Sequence, residues 1–159
     1  MNLPTIPVVL PIPAMCDDEV DQVRRLERAL RAGPQVELRT DHVLHAGMYS
    51  RTVRIPAGVV LTGALIKVAT VLIVSGDATV FIGDDSVRLQ GYHVLPASAG
   101  RKQAFIAHAE TALTMSFPTR ARTVEEAEAE FTDETDLLLS RQYPEQQTLV
   151  ITGDQPCLA

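Results

Sequence analysis

Apolar side chains recur at Val20, Val23, Leu26 and Leu30, the spacing of one helical stripe, with charged residues between them. Asp17, Asp18 and Glu19 load the first turn, and Arg24, Arg25, Arg28 and Arg31 fill the later ones. That distribution complements the helix dipole, and Gly33-Pro34 supplies a stop, so the pattern predicts a helix over residues 17–32. From residue 36 to 118 the period shortens to two, broken by turn residues. It predicts strands over residues 36–38, 42–55, 59–63, 65–75, 78–82, 87–89, 92–95, 103–108 and 111–117. Gly83-Asp84-Asp85-Ser86 between alternating runs reads as a hairpin turn. The nearly continuous apolar run 59–74 reads as strand covered on both faces. Short strands at regular spacing without intervening helices indicate a sandwich or barrel.

The ends differ from this core. Residues 1–16 alternate Pro4, Pro7, Pro11 and Pro13 with apolar residues, an extended arm that cannot fold alone and lies on its own barrel or on a neighbour. After residue 120 helical signals return. Thr123 and Glu126 form a capping box before Val124, Ala127 and Phe131, and a second short helix is expected over 133–140. Residues 148–152 form a short strand suited to a sheet edge, its own or a partner's. The expected organisation is an arm (1–16), a helix (17–33), a barrel (34–120), an acidic helical tail (121–143) and a C-terminal extension (144–159).

Composition narrows the function. Aromatics make up 4% and Trp is absent, so aliphatic residues must build the core. A formal charge of −6 argues against a broad nucleic-acid footprint, which needs Lys and Arg to displace counterions. Cys16 and Cys157 stand near opposite ends with no metal-type spacing and read as free thiols. The arm has no basic start, and its prolines would break a signal helix. No apolar run reaches the roughly 18 residues of a membrane span.

Two stretches, Ile55-Pro-Ala-Gly58 through Gly63 and Gly91 through Gln103, resemble the strand–turn–strand segments of cupins. The order helix, HVLHAGMYSRTVRIPAG, VLPASAGRKQ, AHAETALTMSFPT, acidic tail is similar to small cupin-like proteins encoded in tailed-bacteriophage genomes. The resemblance covers about residues 20–140. It implies a mainly β, cupin-like jelly-roll barrel with an N-terminal helix and a short helical tail. Laid over the cupin metal motifs, the two histidine positions fall at Ala64 and Ile66, the glutamate near Thr70, and the second-motif histidine at Gln103. The turn skeleton is kept and the ligands are not. No metal and no cofactor are therefore expected.

The remaining candidates are few. Gln103, His108, His93, Arg101 and Lys102 could line a barrel mouth and bind a small sugar or nucleotide fragment. His108 with Glu110 or Asp77 is the one acid–base pair that metal-free isomerase or epimerase chemistry could use. His42 and His45, three apart on a strand, should point to opposite faces, as should Arg51 and Arg54, which then cannot bind an anion together with Tyr49. Lys67 should point outward. With a greasy barrel and apolar ends, the preferred expectation is a non-catalytic protein acting by self-assembly. It would form a homodimer or higher oligomer with itself and also contact other virion proteins, in the host cytoplasm and then the particle. Leu3, Ile6, Val8, Val9, Leu10, Leu149, Val150 and Ile151 would make the assembly contacts.

Overall fold

The structure is a computed structural model and describes residues 11–155. Helix α1 (Asp17–Arg31) begins where the charge pattern places it, and the Glu19 carboxylate accepts the Cys16 N–H at 2.9 Å. Eight strands follow: β1 (Arg39–His45), β2 (Met48–Ile55), β3 (Val60–Thr62), β4 (Thr70–Ile82), β5 (Asp85–Ala97), β6 (Ala104–Ala107), β7 (Thr111–Pro118) and β8 (Gln147–Thr152). Between β7 and β8 lie α2 (Val124–Phe131), a 3-10 turn (Thr135–Leu137) and α3 (Leu139–Gln142).

The strands form one curled half-barrel sheet in the order β3-β6-β4-β7-β2-β1-β8, with β5 on the other edge of β4. Every pairing is antiparallel except that of β8 with β1. Curling follows from the long strand β4, whose first half pairs β7 and whose second half pairs β6, both on the edge opposite β5. The mainly β expectation holds, as do the N-terminal helix and the short tail helices.

Alternation decides which side chains enter the curl. Leu72, Val74 and Val80 of β4 meet Leu89 and Leu95 of β5, Phe105 of β6 and Leu113 of β7 in one core. Each large side chain so buried contributes about 1.5–3 kcal/mol. A second core joins Leu44, Tyr49, Met115 and Phe117 to Val124, Ala127, Phe131 and Leu138 of the tail. The tail thus closes one end of the curl.

Several strand boundaries differ from the sequence expectation. Residues 42–55 are not one strand but the β1–β2 hairpin, turned by Ala46 (φ 46°) and Gly47 (φ 84°). Ala is not a turn residue by type, which hid the hairpin. Residues 36–38 are irregular, and 65–69 form no ladder beyond a bridge from Ile66 to Arg101. Residues 87–89 and 92–95 belong to one strand that continues through Gly91. Nor is the 59–74 run covered on both faces, since Val71 is 46% exposed. The arm, from residue 11 on, lies on its own barrel: Ile12 is buried and its N–H reaches the Pro96 carbonyl at 2.9 Å. Leu3, Ile6, Val8, Val9, Leu10 and Cys157 lie outside the described residues.

Candidate functional site

Inside the curl is a half-open cavity of about 120 Å³. Its floor is aliphatic: Val53 of β2, Leu61 of β3, Leu72 of β4, and Leu113 and Met115 of β7. Gly63, Ala64 and Ile66 line one side, and Phe131 with Leu137, Leu138 and Leu139 of the tail lines another. Four polar side chains join them, Arg51, Thr62, Arg101 and Gln103. A cavity this size compares with an engineered apolar cavity of about 150 Å³ that takes up benzene.

Gln103 follows the turn at Gly100 and is held by its backbone, whose carbonyl accepts the Gly63 N–H at 2.8 Å. Its side chain is only 5% exposed, yet Nε2 has no hydrogen-bond partner. A buried donor left unpaired costs about 1–3 kcal/mol. Among the described residues Thr40 Oγ1 shares this condition, but Thr40 does not line the cavity. Arg101 is buried beside Gln103. Its guanidinium donates to the Thr70 hydroxyl at 2.7 Å and the Ser98 carbonyl at 2.7 Å, with longer contacts to the Val68 and Ala97 carbonyls. All are neutral oxygens, and among the described residues no carboxylate pairs with Arg101. Burial pulls its pKa down to about 10, so it keeps its charge at neutral pH.

Arg51 is also buried but compensated. It donates to Glu128 at 3.3 Å and Ser140 at 3.0 Å and stands 5.8 Å over the Phe131 ring. Glu128 further accepts Ser140 Oγ at 2.5 Å and Arg141 Nε at 3.1 Å, so this one carboxylate latches α2 and α3 onto β2. Beside it Tyr49 meets His42 Nδ1 at 2.7 Å, and His42 Nε2 meets Gln147 Oε1 at 3.0 Å. Gln147 Nε2 is spent on the Pro144 carbonyl. His42 therefore donates from Nε2 and accepts the Tyr49 hydroxyl at Nδ1. Burial, helped by the Arg51 charge, lowers the His42 pKa, and burial pushes the Tyr49 phenol up to about 12.

Of the five residues expected at the barrel mouth, Gln103 and Arg101 come together at the cavity and the others do not. Lys102 points the opposite way, wholly buried, pairing with Glu27 of α1 at 2.8 Å and Glu134 at 3.1 Å. Burial alone would raise the Glu134 carboxyl, but hydrogen bonds from the Leu65 N–H and Lys102 hold it below its ordinary value. His93 donates to the Gln90 carbonyl at 2.7 Å, and His108 meets Thr79 Oγ1 at 2.7 Å. Neither histidine lines the cavity. Asp77 is half-buried and gripped by Arg88 at 2.8 and 2.7 Å, contacts that drop its pKa to about 2. Neither Asp77 nor Glu110 reaches the cavity, so the acid–base pairing with His108 has no place in it. His42 faces in while His45 faces out, Arg54 points out to Asp41, and Lys67 pairs with Asp133 at 2.6 Å on the surface. Sequence reasoning placed neither Thr62 nor Arg51 at the cavity. The alternation of Arg51 with Tyr49 and Val53 was legible, but its carboxylate lies 77 residues away.

The cupin-type metal does not fit these residues. The positions equivalent to its ligands place Ala64, Ile66 and Gln103 on the cavity wall, and Thr70 is engaged by Arg101. One neutral amide is no substitute for three imidazole or carboxylate donors.

No family model matches this chain, and no curated protein matches it. Among solved structures it is similar to an uncharacterized conserved protein with a double-stranded beta-helix domain from Klebsiella pneumoniae subsp. pneumoniae, at 14% identity over 56% of this chain and 79% of that one, with a TM-score of 0.46. Ectoine synthase from P. lautus is similar at 16% identity over 54% of this chain and 67% of that one, with a TM-score of 0.42. A cupin superfamily protein from Desulfitobacterium hafniense is similar at 15% identity over 45% of this chain and 67% of that one, with a TM-score of 0.39. Likenesses this distant carry no argument about activity. Nothing in them bears on a bacteriophage origin or on a place in a virion.

Proposed function

We propose that this chain is a metal-independent binding protein whose half-barrel holds a small carboxylic acid. The observation that carries the reading is the buried, unpartnered Nε2 of Gln103 on the wall of an aliphatic cavity. A ligand oxygen there would recover the missing hydrogen bond. Arg101 decides the ligand's charge. A buried guanidinium surrounded by neutral oxygens leaves the wall net positive, because Arg51 is already balanced by Glu128. An anionic head with a short apolar body of about four to six heavy atoms fits that volume and charge.

Binding rather than catalysis is supported by the lining itself. Among the described residues it holds no carboxylate, imidazole or thiol that could exchange a proton near neutral pH. Thermal-shift titration with butyrate, isobutyrate and valerate, each beside its amide and alcohol, tests the idea. The acids should raise the melting temperature, the amides less, and Gln103→Leu should abolish the shift. A ligand at about 100 times its Kd stabilises by about 2.7 kcal/mol, well within detection. Absence of any shift with all three acids at millimolar concentration would reject the proposal.

A further inference from the structure

A second hollow lies against the first. It is a groove of about 270 Å³ between the end of α1, residues 34–38 and β3, with Leu30, Val36, Leu38, Val59 and Val60 among its apolar walls. Its polar side chains are already engaged. Glu27 meets the buried Lys102 at 2.8 Å and Arg31 at 3.5 Å. Gln35 Nε2 donates to the Leu30 and Gly33 carbonyls at 2.8 and 3.2 Å. What the groove still offers is apolar contact. Leu61 and Thr62 of β3, with Leu137 and Leu139 of the tail, line both this groove and the half-barrel cavity. The two hollows therefore meet along one seam, β3 on one side and the tail on the other. Among the described residues no backbone hydrogen bond crosses it. The Gly63 N–H bonds away to the Gln103 carbonyl, and the Leu137 and Tyr143 N–H groups bond within the tail. All four flanking side chains are half-buried, so rotation of leucines opens the seam without breaking a ladder.

We infer that the two hollows form one site for a linear medium-chain carboxylic acid, its head in the half-barrel and its far end in the groove under α1. The inference rests on the acid-binding reading of the cavity and lengthens the ligand. Polarity sets the direction. Gln103 and Arg101 line the cavity and not the groove, so the carboxylate stays in the half-barrel. Volume sets the length. The cavity holds a body of about six heavy atoms and the groove is the larger hollow, so about eight to ten carbons in line span both. Val36, 47% exposed in the empty groove, is then covered.

NMR titration of the isotope-labelled full chain with butyrate, hexanoate, octanoate and decanoate, all below micelle-forming concentrations, provides the test. A methylene taken out of water is worth about fourfold in affinity, so octanoate should bind about tenfold tighter than hexanoate. Octanoate should shift the amide signals of Leu30 and Val36, and butyrate should not. Val36→Glu and Leu30→Gln alter the groove alone. Each should bring octanoate down to the affinity of hexanoate and leave butyrate unchanged. Equal affinities along the series, with butyrate still bound, overturn the inference and leave the acid-binding reading standing. So does an octanoate advantage that neither groove variant reduces, because the alkyl end then lies elsewhere. If none of the four acids binds, both readings fall together.

Discussion

Gly76 and Gly91 sit opposite each other in the β4–β5 hairpin, at the step where the neighbour of β4 changes from β7 to β6. The two glycines are required for different reasons. A Cβ at Gly76 (φ 143°) would stand 2.5 Å from the Glu110 carbonyl and 2.6 Å from Thr111 Oγ1. At Gly91 (φ 87°) it would meet nothing within 4 Å. Gly76→Ala should therefore cost about 2–3 kcal/mol, from backbone strain and a clash with backbone. Gly91→Ala should cost about 1 kcal/mol, from φ alone. Urea unfolding of the two variants decides the matter, and equal losses would show that the close approach to β7 is unimportant.

The Arg51–Glu128 pair gives a second expectation. Glu128→Ala strands a buried guanidinium and should destabilise by about 3–5 kcal/mol. Replacing both partners, Arg51→Met with Glu128→Leu, removes the charge together with its need and should recover most of the loss. A double variant no better than Glu128→Ala would mean that Ser140 and Arg141 depend on the carboxylate more than Arg51 does.

Acid sensitivity should trace to His42. Its folded pKa lies below the ordinary 6.5, so the unfolded chain takes up a proton that the folded chain resists. Stability is complete above pH 6.5 and falls as pH drops from there toward the folded value. His42→Gln should flatten the melting-temperature profile across that window while leaving the steeper carboxylate-driven loss near pH 4. Asp41 contributes to that lower region. Burial would raise its carboxyl, but Arg39 and Arg54 hold it below its ordinary value. A variant profile parallel to wild type as the pH falls below 6.5 would remove His42 from the account.

Gln103→Leu should stabilise the ligand-free protein by about 1–2 kcal/mol, because a buried donor with no partner is exchanged for an apolar group of similar size. The chemical-denaturation midpoint should rise. A fall would mean that the amide already has a partner in solution.

Sequence reasoning reached the parts governed by local rules. The acid-to-base polarity of residues 17–31 fixed α1, and the Gly83-Asp84 turn, with Ile82 paired to Asp85, fixed the hairpin that curls the sheet. It also split His42 from His45 and Arg51 from Arg54, since a strand alternates, but that His42 and Arg51 share the inward face follows from the β1–β2 hairpin, which pairs them. It missed the β1–β2 turn because Ala46 takes a conformation that residue type does not announce. It assigned strand to residues 65–69 because apolar side chains signal burial, not ladder formation. Here Ile66 and Val68 are only partly buried, packed against the core that includes the tail, where the Lys67 N–H donates to the Phe131 carbonyl at 2.8 Å. At the cavity, position after the turn was enough to find Arg101 and Gln103. His93 and His108 were misplaced because their orientation depends on register across β4, which no local pattern specifies.

Because Phe131 and Leu137–Leu139 form one wall of the cavity, the vessel is unfinished until the last third of the polypeptide has been synthesised and docked. Occupancy by the proposed acid and tail attachment would then be a single equilibrium seen from two sides. An acid bound there should slow detachment of the tail, and the half-exposed Arg141 beside the Glu128 latch should turn that coupling into a difference in tryptic half-life.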